Sequence, residues 1–438
     1  MATADPATDR TAASRPDSLA GLQLGRFAAA SDAARRAAVA AFDLRALDAD
    51  FLADPYPYYH LLRHHDPVRR MPDGSYFLTR YDDLQAVYRD SRSFSSDKKI
   101  EFAPKFGDTP LYRHHTTSLV FNDPPLHTRV RRLLAPAFTP RALKLLEARF
   151  ETLVDGLLDR AAKQGGMDVV TGYAAALPVE IIGDMLAVPH EDRHLLRDWS
   201  LAILGALEPV LTQERGEQGN RAVTEFEDYL DRHIDAWAKK GAEGGDGFGD
   251  VLTALIRGEA GGERLSPAEL VQNCIFLLNA GHETTTNLIG NGIAALLDWP
   301  DQRRRLAADP GLIRTAVEEF LRFESSNQLG NRRVVEAVEI GGVRFAPGTL
   351  VTLCIGAANR DPAQFPDPDR LDVGRQPNRH LAFGAGIHAC AGMSLARLEG
   401  QIAISRLLAR FPGFRRSGDF VRGGRARFRG FLSYPVEF

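Results

Sequence analysis

Helical patterns outnumber strand patterns along this 438-residue chain, which predicts a mainly α fold with a smaller β region. The strongest helical signal begins at the capping box Ser266-Pro267-Ala268-Glu269, and apolar residues continue from there to Leu297. Pro300 blocks further extension. A helix of about 30 residues would span roughly 45 Å. An apolar helix of that length must run through the body of a domain.

Shorter elements follow from local signals. Amphipathic spacing, or proline in a first turn, predicts helices over residues 54–65, 81–89, from Pro124-Pro125 onward, 143–165, 178–186, 193–207 and 222–239. Strands are predicted on both sides of Pro72-Asp73-Gly74 and over 332–352, with Gly341-Gly342 as a hairpin turn. The segment 95–123 has no clear periodicity, which indicates a long loop. The glycine-rich residues 241–250 predict another loop.

Composition and charge exclude several classes of protein. The formal net charge of -3 argues against a nucleic-acid partner. Three scattered cysteines do not form a disulfide scaffold and fit a reducing compartment. The sequence contains no apolar run of about 18 residues, which is the length needed to span a membrane. The first residues lack the apolar core of a secretory signal. We therefore expect a cytoplasmic protein in which residues 1–41 form a flexible extension and 42–438 the folded domain.

Cys390 lies in the stretch that carries the most chemical information. Gly384, Gly386 and Gly392 flank it and let the backbone turn tightly beside a flat ligand. Backbone N–H groups freed by such a turn, and the start of the helix that follows, would stabilise a thiolate. A thiolate held in this way suits the axial position on a haem iron. A lone cysteine is more often a buried structural residue, but the glycines and His388 favour the ligand.

The pattern Phe383-Gly384-x-Gly386-x-His388-x-Cys390-x-Gly392 resembles the haem-ligand loop of the bacterial cytochromes P450. Many members have a larger apolar residue where this chain has Ala391. A dinucleotide-binding loop is excluded, because the third glycine of GxGxxG would fall on Ala389. The resemblance covers roughly residues 42–438 and implies a single, mainly helical domain around haem b. Within the loop it implies haem contacts from Phe383, Gly384 and His388, with Cys390 as the iron ligand.

His127 and Arg131 fall one turn apart on the helix that Pro124-Pro125 opens. Two such groups suit a carboxylate, and haem has two propionates, although spacing alone would more often give solvated surface residues. The resemblance places both side chains on the propionate-binding helix of the family. It also implies a propionate contact at Arg332. The adjacent Arg333 is the alternative, because the alignment can shift by one residue.

The middle of the long helix reads Ala280-Gly281-His282-Glu283-Thr284-Thr285. Ala280 and Thr284 share a face and would leave room for a diatomic ligand, with Ala280 against the haem. Gly281 costs about 1 kcal/mol in a helix interior, so a packing or functional reason should offset it. Thr284 can hydrogen-bond a carbonyl one turn back, and with Glu283 it could deliver protons to oxygen. The plain alternative is a kinked core helix.

Two further features of this helix concern ligands. A zinc site of the HExxH type is excluded, because Thr286 stands where the second histidine would be. Asn279 replaces the apolar residue that many bacterial members have before Ala280. It either hydrogen-bonds a polar group of the substrate or is a satisfied buried amide.

Glu319 and Arg322 lie three residues apart and can pair on one helix face, as many surface ion pairs do. The resemblance implies instead a buried structural pair that holds the cysteine loop and is joined by a downstream arginine, for which Arg370 is the candidate. It also implies that the segment 95–123 covers the substrate. Four residues are implied to line the substrate pocket: Gln328, Leu329, Phe431 and Leu432.

The resemblance implies a monooxygenase that inserts one oxygen atom from O₂ into an apolar small molecule, as a monomer in secondary or catabolic metabolism. Electrons would come from NAD(P)H through a separate ferredoxin and ferredoxin reductase. Candidates for the docking face are Arg129, Arg132, Arg379 and Arg397. Two alternatives stay open: a haem enzyme that uses peroxide or no oxygen, and a non-catalytic haem-based binder. The Glu283-Thr284 pair argues against both, because it serves oxygen chemistry.

Overall fold

The computed structural model describes residues 19–239, 250–257 and 264–438, and helices account for most of them. In chain order these helices are α1 (Asp32–Ala41), α2 (Ala49–Ala53), α3 (Tyr56–His65), α4 (Tyr81–Arg89), α5 (Lys99–Phe106), α6 (Pro110–Thr117), α7 (Leu126–Leu134), α8 (Pro140–Gln164), α9 (Ala176–Met185), α10 (Arg193–Gly205), α11 (Gln213–Lys239), α12 (Asp250–Arg257), α13 (Pro267–Asp298), α14 (Pro300–Ala308), α15 (Ile313–Phe323), α16 (Ile355–Ala358) and α17 (Met393–Arg410). The predicted mainly α fold is confirmed.

The β region is small. Its strands are β1 (Val68–Arg70), β2 (Tyr76–Leu78), β3 (Phe94–Ser95), β4 (Gly166–Asp168), β5 (Leu329–Val334), β6 (Val338–Ile340), β7 (Val343–Phe345), β8 (Leu350–Cys354), β9 (Arg415–Arg416), β10 (Val421–Arg422), β11 (Phe431–Ser433) and β12 (Pro435–Glu437). The largest sheet has the order β1-β2-β8-β5-β3, in which only β2 and β8 run parallel. The predicted hairpin at Gly341-Gly342 joins β6 to β7.

The long helix α13 has 32 residues and is buried along most of its length. Ser266 accepts a hydrogen bond from the Glu269 backbone while the Glu269 carboxylate accepts one from the Ser266 backbone, so the predicted capping box is present. The N-terminal half packs in an apolar cluster with α10 and α11. The C-terminal half packs in a second cluster with α8, α15 and α17. This helix therefore joins the two main cores.

The folded region begins earlier than predicted. Residues 19–41 were expected to lie in a flexible extension, but Leu24, Phe27 and Val39 are buried in the apolar cluster around α3. The backbone N–H of Gln23 also donates to Asp369 at 2.8 Å, which ties this segment to a distant part of the chain. The sequence did not indicate this packing, because large apolar side chains are sparse in an alanine-rich segment. Residues 1–18 lie outside the described part of the chain.

The segment 95–123 is another correction, because it is largely helical rather than a loop. It contains α5 and α6, and the side chain of Thr109 caps the start of α6 ahead of Pro110. The rings of Phe102 and Phe106, one turn apart on α5, lie 5.1 Å from each other. Both helices are short, so eight residues each gave too little periodicity to identify.

Other boundaries follow their local signals. Gly165 ends α8 with a left-handed φ of 72°, which glycine adopts without strain. By contrast, α11 begins at Gln213 rather than near Ala222. The loop predicted at 241–250 lies, except for Asp250, outside the described residues. Across the described ranges, no helix combines the length and apolar character needed to cross a bilayer.

Candidate active site

Ala280, Gly281 and Thr284 form an accessible stripe on α13, whereas the helix on both sides of them is mostly buried. We call this stripe the oxygen face. The Thr284 hydroxyl donates to the carbonyl oxygen of Ala280 at 2.7 Å, so the predicted back-bond exists. A long buried helix exposes small side chains at one place only where something else is to fit against it. The oxygen face is therefore the candidate ligand-facing surface of α13.

Packing explains Gly281. A β-carbon at this position would lie 2.7 Å from Cδ1 of Ile182 on α9, which is closer than van der Waals contact allows. The glycine therefore lets α9 approach α13 closely, which offsets its cost of about 1 kcal/mol relative to alanine. This is the packing reason that the sequence left unspecified.

Glu283 pairs with an arginine that no sequence signal identified. Arg425, from the segment between β10 and β11, donates to both carboxylate oxygens of Glu283, with Nη1 3.2 Å from Oε2. The pair borders a cavity of about 30 Å³ that His282, Phe431 and Leu432 also line. That volume holds one or two waters. Phe431 and Leu432 thus line a small cavity that adjoins Glu283, and their role in the substrate pocket stays a prediction.

The Cys390 loop is a tight turn. The Cys390 N–H donates to the carbonyl oxygen of Phe383 at 2.9 Å, and Gly384 and Gly386 have φ of 64° and 70°, which favours glycine. The sulfur accepts a hydrogen bond from the backbone of Gly392, which lowers the thiol pKa, while burial raises it more strongly. Backbone donation to the sulfur is the feature that the glycine pattern predicted.

Gly386 has a second reason to be glycine. A β-carbon there would lie 2.2 Å from the backbone oxygen of Tyr88 at the end of α4. Only glycine lets α4 and the Cys390 loop approach this closely, so the loop is held from outside as well as by its own turn.

A group of polar side chains lies beside the loop. We call Asp123, His127, Arg131, Arg332 and His388 the His127 cluster. The rings of His127 and His388 are 4.1 Å apart between centroids, and His388 lies 3.8 Å from the Asp123 carboxylate. Burial, then the charges of His388 and Arg131, lower the pKa of His127 to about 4. The guanidinium of Arg332, which was preferred to Arg333 as the predicted contact, lies 5.2 Å from the centre of the Tyr88 ring. Its charge lowers the pKa of both His127 and His388.

These residues fit a haem group. Both ring nitrogens of His127 are buried without a hydrogen-bond partner in the described structure, and a buried unpaired donor is costly. Arg131 and Arg332 form no salt bridge with a carboxylate of the described residues. Haem brings two propionates, which would accept from these groups, and Cys390 offers one sulfur ligand for the iron. The set of donors matches what the cofactor presents.

The charge network at Glu319 corrects one prediction. Arg322 donates to both carboxylate oxygens of Glu319, at 2.7 and 2.8 Å, and both residues are fully buried as expected. The third arginine is Arg375, not Arg370: its Nε lies 3.1 Å from each Glu319 oxygen. The turn at 366–370 leaves the Arg370 side chain exposed and directs only its carbonyl inward, where Arg322 and Arg375 donate to it.

Two of the predicted pocket residues lie elsewhere. Gln328 is fully buried, and its amide donates to the Ser325 carbonyl at 2.7 Å and to the Tyr56 hydroxyl. Leu329 is buried in the apolar cluster around α3. Neither side chain borders accessible space, so the pocket role predicted for them is wrong. Strand position alone did not say which way these side chains would point.

Asn279 is partly satisfied. Its Nδ2 lies 3.3 Å from Nε2 of His114 on α6, while its Oδ1 is buried with no partner among the described residues. His114 in turn is 2.9 Å from Oε1 of Gln272. Asn279 therefore matches neither open alternative completely: one end of the amide is held and the other is available.

The predicted docking arginines divide into two pairs. Arg129 forms a salt bridge with Glu269, and Arg397 donates to Glu318 at 2.6 Å. Arg132 and Arg379 are exposed and form no salt bridge with the described residues. Only two of the four side chains are free to meet an acidic partner.

Comparison with known proteins agrees with this site. The family model for cytochrome P450 matches residues 311–413. The chain is 39% identical over 407 residues to the cytochrome P450 monooxygenase PikC of Streptomyces venezuelae, covering 90% of this chain and 94% of that one. It is 41% identical to the vitamin D(3) 25-hydroxylase of Pseudonocardia autotrophica, covering 83% and 87%.

Solved structures agree as well. The crystal structure of P450BioI in complex with an acyl carrier protein ligated to hexadec-9Z-enoic acid has a TM-score of 0.83 and 34% identity, covering 90% of this chain and all of that one. Sequence, fold and site therefore lead to one conclusion: the chain belongs to the cytochrome P450 family and is a haem-thiolate monooxygenase.

Proposed function

We propose that this monooxygenase hydroxylates or epoxidises a lipophilic molecule of secondary metabolism, with haem b held by Cys390 and the His127 cluster. The observation that carries the proposal is the combination of two features. One is a cysteine in a glycine turn with backbone donation to its sulfur. The other is the oxygen face of α13, which ends at Thr284 with Glu283 beside it.

Each residue of the cofactor site has a task. Cys390 would ligate the iron, and His127, Arg131 and Arg332 would donate to the propionates. Gly384 and the main chain at Phe383 would lie against the ring because no side chain of the turn stands in the way. When bound, haem supplies the redox chemistry, in which O₂ and two electrons are used and the thiolate favours O–O cleavage.

Glu283 and Thr284 would deliver protons. The Thr284 hydroxyl donates to the carbonyl oxygen of Ala280, and the lone pairs of its oxygen remain free to accept a proton from a neighbour. Glu283 lies at the wall of a cavity large enough for water, and its carboxylate is paired with Arg425. A proton reaches Glu283 from this cavity only if the Arg425 bond loosens. Thr284 Oγ1 would then accept a proton from Glu283 and release its own hydroxyl proton, which is bonded to Ala280, to the reacting oxygen. This is general acid catalysis.

A lipophilic substrate is supported from two directions. The Pseudonocardia relative is named for vitamin D3, and the P450BioI structure contains an acyl chain on a carrier protein, so both handle lipophilic molecules. In this chain, Phe102, Phe106 and Phe121 form a group of aromatic rings on α5 and just after α6. Rings in this position supply apolar surface for a hydrocarbon skeleton.

Electrons would come from NAD(P)H through a ferredoxin and its reductase, in the cytoplasm. Arg132 and Arg379, the two free arginines, are the proposed contacts for an acidic ferredoxin. Glutamate at both positions should slow reduction by the ferredoxin. An unchanged rate of electron transfer in that double variant would contradict this docking face.

The proton relay gives the central test, and the helix provides its own control. Thr284 and Thr286 both bond back to a carbonyl one turn earlier, at 2.7 and 2.9 Å, but Thr286 is buried away from the oxygen face. With a substrate that shifts the Soret band, Thr284→Ala should reduce product formed per NAD(P)H by about tenfold or more, as expected for the loss of a general acid. Thr286→Ala leaves the oxygen face intact but changes the wall of the cavity beside Glu283, so it should lower this yield less than Thr284→Ala.

Labelled ¹⁸O₂ completes the test. Incorporation of one labelled atom into the product supports the monooxygenase reaction. Turnover by Thr284→Ala that equals the wild-type yield, or product driven by peroxide alone at the same rate, would favour the peroxide-dependent alternative.

A further inference from the structure

A second group of basic side chains lies outside the residues that would hold haem. We call Lys98, Lys105, His115 and Arg427 the Arg427 cluster. They come from α5 and the residue before it, from α6, and from the segment between β10 and β11. The charge of Arg427 lowers the pKa of each of the other three, so all four groups lie close together.

The carboxylates near this cluster are already engaged. Glu101 accepts from Lys98 Nζ at 2.6 Å and from Asn331 Nδ2 at 2.7 Å. Glu208 accepts from three consecutive backbone N–H groups at 426–428, at 3.0, 3.1 and 3.4 Å. The cluster thus has three cations, Lys98, Lys105 and Arg427, near two carboxylates. Neither carboxylate accepts a hydrogen bond from Lys105 or from the guanidinium of Arg427 in the described structure.

Lys105 and Arg427 donate only to main-chain carbonyls. Lys105 Nζ lies 2.9 Å from the Glu208 carbonyl, and Arg427 donates to the carbonyls of Leu207 and Leu329 at 3.1 and 3.0 Å. No salt bridge to either cation is found in the described part of the chain. Burial and the charge of Arg427 lower the pKa of Lys105 to about 8. Glu101 and Glu208 supply the nearest negative charge, but among the described residues neither carboxylate accepts a hydrogen bond from Lys105 or Arg427. Both cations therefore keep hydrogen-bond donors for a further anion.

His115 supplies an independent observation. Its ring is 1% exposed, and both nitrogens lack a hydrogen-bond partner among the described residues. The rings of Phe106 and Phe121 lie 5.4 and 5.3 Å away, so the surroundings are otherwise apolar. An imidazole in such a place is normally hydrogen-bonded. The unpaired ring adds a donor to the same site.

The Arg427 cluster adjoins the active site at two points. His114, next to His115, contacts Asn279, which precedes Ala280 on the oxygen face. Asn331, which is bonded to Glu101, precedes Arg332 of the His127 cluster. The cluster is thus linked to the oxygen face through His114 and Asn279, and to the His127 cluster through Glu101 and Asn331.

We propose that Arg427 and Lys105 bind a carboxylate of the substrate, so that this monooxygenase acts on a lipophilic carboxylic acid. The unbonded Nη2 of Arg427 and the remaining hydrogens of Lys105 donate to the carboxylate, and the rings of Phe102, Phe106 and Phe121 contact the hydrocarbon. The carboxylate fixes one end of the molecule, and oxidation takes place at carbons some distance along the skeleton. This assignment rests on the proposed function and adds a substrate class to it.

The test compares each acid with a neutral analogue of the same skeleton. The haem-loaded, full-length protein is titrated with straight-chain acids from decanoic to hexadecanoic acid and with their methyl esters. Affinity is measured from the Soret shift and, independently of spin state, by equilibrium dialysis. The acids should bind at least about tenfold more tightly than the esters, since hydrogen bonds to charged groups contribute about 1.5–3 kcal/mol.

Variants then assign the preference to its residues. Arg427→Gln and Lys105→Gln should each weaken acid binding by about tenfold and leave ester binding unchanged, whereas Arg427→Lys should retain part of the preference. Lys105 has only one hydrogen bond to lose, so its variant folds even if Arg427→Gln does not. Lys99→Gln is the matched control, because Lys99 lies on the same helix and pairs with Asp97 instead.

Several outcomes would overturn the assignment. These are equal binding of acid and ester, a preference that survives both Arg427→Gln and Lys105→Gln, failure of all acids to bind, and binding of dodecyl phosphate as tight as that of dodecanoic acid. The reduced carbon monoxide spectrum of the same preparation reports thiolate ligation separately. A normal spectrum with no acid preference would therefore reject the carboxylate site and leave the proposed function in place.

Discussion

Buried charges at Glu319 and at the Arg427 cluster are balanced in different ways. The Glu319 carboxylate accepts from two arginines, an asparagine and a backbone N–H, so the protein itself supplies every partner. In the Arg427 cluster, the hydrogen-bond acceptors of Lys105 and Arg427 among the described residues are all main-chain carbonyl oxygens. Groups that are balanced internally stabilise the fold, and groups that are not are available to a ligand. Substitutions at the two places should therefore affect different measurements.

The largest expected effect is at Cys390, which belongs to the ligand-facing class. Cys390→Ser should abolish the thiolate signature of the reduced carbon monoxide spectrum and reduce monooxygenase turnover below detection, because the hydroxyl is a poor substitute for an iron-bound thiolate. The free energy of unfolding of the haem-free chain should change by less than about 1 kcal/mol, as Cys390 is partly accessible.

Cys274 is the matched control and belongs to the opposite class. It is fully buried in α13, so Cys274→Ser places a hydroxyl in an apolar environment and should cost about 1–3 kcal/mol of stability. Its spectrum should remain that of a thiolate-ligated haem. A normal spectrum in Cys390→Ser, or a lost one in Cys274→Ser, would contradict the assignment of the ligand.

The next effect separates Arg375 from Arg370. Arg375→Met removes a cation that contacts both oxygens of the buried Glu319 and should destabilise the protein by about 3–5 kcal/mol, as measured by urea unfolding. Arg370→Met removes an exposed side chain and should change stability by no more than about 0.5 kcal/mol. The opposite order would restore Arg370 as the third member of the network.

Residues that are close in sequence were the easier ones to predict. The glycines around Cys390, the capping box of α13 and the back-bond of Thr284 are all set by neighbours within a few residues, so local rules of backbone geometry identify them. Arg332 lies beside His127 and His388, and its contact with a propionate stays a prediction.

Residues that meet only through the fold could not be predicted. Arg425 reaches Glu283 across 142 positions of sequence, and Glu208 reaches the backbone at 426–428 across more than 200. No local pattern records such a contact, since each partner alone is an ordinary charged residue. The same limit explains Arg375, Gln328 and Leu329, whose side-chain directions depend on a turn or strand edge that sequence spacing does not fix.

The third prediction concerns Glu399, a buried carboxyl that does not fit the comparison. It lies on α17, is 2% exposed, and its hydrogen-bond partner is Thr285, next to Thr284. Burial raises its pKa to about 8, and the Thr285 hydrogen bond lowers it only in part. Unlike Glu319, Glu399 has no cation partner among the described residues, and burial favours its protonated form near neutral pH. It resembles the ligand-facing groups in lacking a counter-charge and the structural groups in being inaccessible.

The pH dependence of stability follows from that shift. Below the ordinary glutamate pKa both folded and unfolded chains carry the proton, and between that value and about 8 only the folded chain does. Stability from this group is thus fully present at low pH and is lost as the pH rises through the window, by on the order of 5 kcal/mol at most. In Glu399→Gln nothing titrates at this position, so the difference in unfolding free energy between variant and wild type should grow from pH 5 to pH 9 in favour of the variant.

Glu339→Gln controls for the loss of a carboxyl group, because Glu339 is exposed on β6. A difference between Glu399→Gln and wild type that stays constant across the range would mean that Glu399 is ionised in the folded protein. It would then require a cation partner, and the internal balance seen at Glu319 would extend to this carboxyl as well. A difference that grows with pH would instead show that Glu399 carries a proton in the folded protein. Its hydrogen-bond partner Thr285 directly follows Thr284 of the proposed relay.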